Sequence, residues 1–134
     1  MSRTKDRVTG VVIRGSQILM IHRYRDGKTY WVFPGGGVEE GEDYDTAIQR
    51  EMQEETGLEV LYSVKLFEQA EANGGVCVFY TCELEAGEPH LGGPESANQS
   101  PTNQYHLVWV ELQQLPRLAA VYPSPEKLLH HLQG

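Results

Sequence analysis

Three glutamates, Glu51, Glu54 and Glu55, close the segment DYDTAIQREMQEET, and the stretch WVFPGGGVEEGED, Trp31 to Asp43, runs directly into it. Carboxylate oxygens gathered in this way suit a hard divalent cation, Mg2+ or Mn2+. The glycines expose backbone N–H and C=O groups with no side chain in front of them, which suits a metal or a phosphate oxygen. A tight turn accounts for one glycine but not for Gly35, Gly36, Gly37 and Gly41 together.

The glutamates need an element to position them. From Asp43 to Thr56 nothing breaks a helix; Asp43 can cap its start and Gly57 its end. Tyr44, Ile48 and Met52 form an apolar stripe. A solvated helix keeps its acids opposite such a stripe. Here Glu51 follows Tyr44, and Glu55 follows Ile48, by two turns, so each lies about 20° from an apolar partner. The pair also repels at i,i+4 spacing, by about a few tenths of a kcal/mol in water. Arg50 offsets part of this. A poorly patterned surface helix is the competing account, and the adjoining glycines favour the cation.

Around the helix, 7–14 and 17–24 read as a β-hairpin parted by Gly15-Ser16, and Thr29–Phe33 as a short strand ended by Pro34. Longer strands are expected over Glu59–Ala70 and Gly75–Leu84, with a turn at Asn73-Gly74-Gly75, and another over Tyr105–Glu111. Residues 86–103 are polar and rich in Gly and Pro, a loop long enough to be functional. Ser124-Pro125 opens a closing helix. Strands wrapped around helices give an α/β or α+β class, and residues 1–134 read as a single domain.

A net charge of -8 opposes a sequence-independent grip on a nucleic acid polymer, yet not a small phosphorylated ligand bridged by a cation. No apolar run is long enough for a membrane, and no signal peptide is visible, so a cytoplasmic protein is expected. Cys77 and Cys82, about 16 Å apart on one strand and facing opposite ways, read as small core residues.

Gly36, Glu42 and the run REMQEETGL (Arg50 to Leu58) stand at the spacing of the Nudix box, which this chain resembles without a departure. The resemblance implies an α/β/α sandwich with a mixed β-sheet. It also implies hydrolysis of a nucleoside diphosphate linked to another moiety, as a hydrolase acting on acid anhydrides. By match to the motif, the Gly35 carbonyl, Glu51, Glu54 and Glu55 would hold Mg2+. Arg50 would orient Glu51, and Glu42 would brace the loop through Arg50. Glu51 is the candidate base within the box; Glu95, in the Gly/Pro-rich loop, is a distal candidate and a further metal ligand.

Substrate contacts are sought in the basic cluster ahead of the box, where Arg23 or Arg25 would hold a phosphate, and in Trp31, Tyr80 and Tyr105, which could stack on a base. Marks of ADP-ribose- or diadenosine-polyphosphate-cleaving relatives are missing. A MutT-like housecleaning hydrolase of (d)NTPs or similar nucleotides is what elimination leaves. The alternative is a non-catalytic nucleotide sensor, which would be expected to have lost box acids. The oligomeric state stays open, a homodimer included. A calcium loop and a P-loop both lack their required residues.

Overall fold

Two consecutive valines divide the molecule. Val11 and Val12 are both buried, but in different hydrophobic clusters, so the chain must turn between two layers at this point. The computed structural model describes residues 3–91 and 99–133. The elements are β1 (Arg3–Val11), β2 (Ile13–Arg14), β3 (Gln17–Arg25), β4 (Lys28–Val32), β5 (Gly35–Glu39) and α1 (Tyr44–Thr56). They continue with β6 (Val60–Ala70), β7 (Val76–Leu84), β8 (Asn103–Glu111), a 3-10 turn at Leu112–Arg117, β9 (Val121–Tyr122) and α2 (Glu126–Gln133).

The expected mixed sheet is two curled sheets. One runs β5-β1-β7-β6, with β1 antiparallel to β5 and parallel to β7. The other runs β2-β3-β4-β9, with β8 along the remaining edge of β3. The expected hairpin therefore survives only at its tip, where Ile13 faces Ile18 and Arg14 faces Gln17. Beyond Val12, β1 leaves for the other sheet.

β7 shows why a helix lies on each side. Val78, Tyr80, Cys82 and Leu84 pack with Ile48 and Met52 of α1, while Cys77 and Phe79 pack in the cluster that holds Leu128 of α2. Each fully buried aliphatic or aromatic side chain contributes about 1.5–3 kcal/mol. Both cysteines are free and buried, as expected, and the burial pushes their pKa values up, to about 11 for Cys77 and about 12 for Cys82. The glycine stretch, expected as a loop, is the strand β5. Its backbone finds partners along β1, with Thr9 opposite Gly35 and Val8 opposite Gly36.

Candidate active site

α1 begins where expected, with Asp43 Oδ1 accepting the Thr46 N–H at 2.7 Å, and ends on Gly57 at φ 72°. Ala47, Ile48 and Met52 are fully buried on its inner face. The same side carries two carboxylates inward: Glu51 is 3% exposed and Glu55 7%.

Burying a carboxylate costs several kcal/mol unless a partner compensates, and Arg50 is that partner for Glu51. Its Nε and Nη2 donate to the two oxygens of Glu42, each at 2.8 Å, and its Nη1 donates to Glu51 Oε1 at 2.8 Å. Nη2 also donates to the Gly37 carbonyl at 3.1 Å. The hydrogen bonds to Glu42, then those to Glu51, drive the guanidinium pKa further up, so it remains a cation at any working pH. Glu42 Oε1 in turn accepts the Glu39 N–H at 3.1 Å. One guanidinium thus ties helix, strand β5 and the loop between them.

Two of the glycines are bare because nothing else fits. A Cβ on Gly36 would lie 2.3 Å from Glu51 Oε2. Gly35 has φ 147°, and a Cβ there would lie 2.2 Å from the Val8 carbonyl oxygen. Gly36→Ala separates position from stability. The obstructing group is the mobile end of a side chain, so the fold should survive with Tm lowered by a few degrees. Glu51 must move aside, and an ångström of misplacement costs about a hundredfold in turnover. A kcat assay beside a thermal melt checks both.

Glu51, Glu55 and the Gly35–Gly37 backbone line a cleft of ≈ 210 Å³. Glu54, expected to converge with them, is not among its lining residues; it is pulled back toward Arg50, with Oε1 3.6 Å from Nη1 and the side chain 36% exposed. Among the described residues no trio of His, Cys, Asp and Glu closes around a point as a finished metal cage. Glu95 lies outside the described residues.

Of the expected substrate contacts, Arg23 and Tyr105 line the cleft, stacked with the guanidinium carbon 3.6 Å from the ring centroid. The other three do not. Arg25 sits exposed at the β3–β4 tip, opposite Lys28 and 4.0 Å from Asp26. Trp31 meets the His22 ring in a tilted contact at 4.4 Å and packs against the second core cluster. Tyr80 is buried in the first, its hydroxyl donating to Asp45 at 2.9 Å. An aromatic facing an apolar layer is retained by that layer. Sequence reasoning missed Arg7 and Tyr122, which line the same cleft. Tyr122 lies on a strand two residues long, and Arg7 is carried there by the parallel β1–β7 pairing.

A buried acidic helix face lies against a bare glycine strand, on a frame of two curled mixed sheets. The chain belongs to the Nudix family: the NUDIX domain model matches residues 4–132. Members of this hydrolase family generally use divalent metal ions. The fold is similar to that of a MutT NUDIX hydrolase from Burkholderia pseudomallei, with TM-score 0.73 and 25% identity over 92% of this chain and 95% of that one. It also matches the fold of MutT from Aliivibrio salmonicida and Vibrio cholerae, with TM-score 0.71 and 23% identity over 96% and 97% of the two chains. Relatives named RNA pyrophosphohydrolase include one from Bartonella bacilliformis, 26% identical over a 124-residue alignment covering 75% of this chain and 69% of that protein. Another, from Caulobacter vibrioides, is 40% identical over 72 residues, 53% of this chain and 39% of that protein. The match to the one from Pelagibacter ubique spans 37% of that relative's length. Among the described residues no helix is long and apolar enough to cross a membrane.

Proposed function

We propose that the protein hydrolyses a pyrophosphate bond in a nucleoside diphosphate linked to another moiety, with a (d)NTP or related nucleotide as substrate and Mg2+ as cofactor. The observation that carries this reading is the burial of Glu51 and Glu55 beside the bare glycine strand. Two like charges on adjacent turns of one helix face are retained there at a cost, which a bound cation removes.

The donors fit such an ion. Glu51, Glu55 and the Gly35 carbonyl offer hard oxygens, and Glu54, now drawn toward Arg50, would complete the set with its side chain turned to them. Divalent ions, when bound, neutralise the phosphate charge and lower the pKa of a bound water. The protein's own groups do the rest. Arg50 keeps Glu51 fixed over Gly36, and Glu42 keeps Arg50 fixed against β5. In the reaction water adds to one phosphorus, the bridging P–O bond breaks, and the water's proton passes to Glu51.

The names of the relatives favour a second substrate, a 5′-phosphorylated RNA end, whereas the net charge of -8 opposes a grip on the polymer beyond that end. A panel of (d)NTPs, nucleoside diphosphate conjugates and a 5′-triphosphorylated oligoribonucleotide decides between them. Turnover should appear with Mg2+ or Mn2+, vanish in EDTA and return on adding metal. Binding without turnover on every substrate would make the chain a nucleotide sensor instead.

A further inference from the structure

Two arginines line the cleft, and they differ in what they already hold. Arg23, the one expected to bind phosphate, is 6% exposed and occupied: its Nη1 donates to Asn103 Oδ1 at 2.9 Å and to the Gln104 carbonyl at 3.0 Å, and Tyr105 stacks beneath it. Arg7 is different. Its Nε is fully buried with no acceptor, and it forms no ion pair with a carboxylate among the described residues. The guanidinium carbon lies 5.1 Å from the centre of the Tyr122 ring, a contact that positions a cation without neutralising it. The Tyr122 hydroxyl donates to Glu71 at 2.6 Å, which fixes the ring in place. Across the parallel ladder Arg7 faces Cys77 and interacts weakly with its thiol, which burial keeps protonated, so the contact supplies no counter-charge. Across the antiparallel ladder Arg7 faces Gly37, at the end of the bare glycine run.

A guanidinium held on a ring, with a buried N–H pointing at no acceptor and no carboxylate paired to it, is preorganised for an anion. We propose that Arg7 is the residue that anchors a phosphate of the substrate in this cleft, donating from the terminal nitrogens of its guanidinium, and that Tyr122 is its positioning residue. The assignment rests on the pyrophosphohydrolase reading of the site. It separates two jobs: the helix glutamates serve the reacting phosphorus, while Arg7 holds a phosphate that does not react. Arg23, already satisfied, shapes the cleft wall.

The test uses the full chain and two variants, Arg7→Gln and Arg7→Lys, on the best substrate of the panel, with calorimetric binding of α,β-methylene-bridged dGTP in parallel. Hydrogen bonds to a charged group are worth about a tenfold to hundredfold in binding. Arg7→Gln should therefore raise KM and weaken analogue binding by that factor, with kcat within about threefold of wild type. Arg7→Lys, which keeps the charge but lacks the planar fork of donors, should fall between the two. A lowered Tm with KM and analogue binding unchanged would make Arg7 a structural prop for β9 and overturn the assignment. If Arg7→Gln does not fold, Arg7→Lys decides by the same readouts. If wild type hydrolyses nothing on the panel, the parent reading fails, and analogue binding alone judges Arg7: weaker binding in the variants supports it, equal binding overturns it.

Discussion

Glu51→Gln should lower kcat by about a thousandfold while leaving analogue binding within a few fold of wild type. The structure gives the reason for so large an effect from a change of one atom. Glu51 is all but excluded from solvent, its Oε1 is held by Arg50, and its carboxylate sits over Gly36. Glutamine keeps the shape but can neither accept the water's proton nor serve as an anionic donor; the first loss alone is worth about 10²–10⁴. Glu95→Gln provides the comparison. We expect a smaller loss there, restored by added Mg2+, because a ligand acts in metal capture and a base in the chemical step. A pH–rate profile makes the distinction independently. If its acidic limb survives in Glu51→Gln and disappears in Glu95→Gln, the roles are reversed.

Arg50→Lys should cost nearly as much, and it should also destabilise. Arginine here serves four acceptors at once: both oxygens of Glu42, one of Glu51 and the Gly37 carbonyl. Lysine has charge enough for one of the two carboxylates and cannot reproduce the bidentate contact to Glu42. One of two largely buried carboxylates is then left without its cation. Removing one partner of a buried pair costs about 3–5 kcal/mol, and partial exposure of Arg50 reduces this to about 2–3 kcal/mol. Tm should fall by several degrees, and turnover by about a hundredfold, since Glu51 loses the tether to β5 that Arg50 provides. Turnover near that of wild type would remove the bridging role.

The glutamate helix was legible because everything that specifies it is local. Its cap, its Gly57 terminator and the apolar spacing of Ile48 and Met52 lie within one segment, and the inward turn of Glu51 and Glu55 follows from that spacing. The identity of the cleft's other wall was not legible. Arg7 and Tyr122 meet only because β1 runs parallel to β7 and β9 parallel to β4, and no short-range pattern encodes a parallel partner. Trp31 and Tyr80 misled for a related reason: an aromatic on a strand shows its face only once the layer beneath it is known. β5 was missed because glycines have no alternation to read, although their backbone completes an ordinary ladder.

The crossing at Val11–Val12 has a kinetic consequence. β1 finds one partner nearby in β5, but its parallel partner β7 is made much later, with Arg7 waiting for Cys77; β3 waits longer still, for β8 to bring Glu111 opposite Gln17. A chain emerging from the ribosome therefore carries α1 complete before either sheet can close beneath it. Ladders of such high sequence separation form slowly, on the order of milliseconds to seconds, because loop closure precedes any gain in contacts. Until then the apolar side of α1 rests only on β1 and β5, and Val78, Tyr80 and Leu84 of its cluster are still missing, which leaves apolar surface of the nascent chain open to wrong partners.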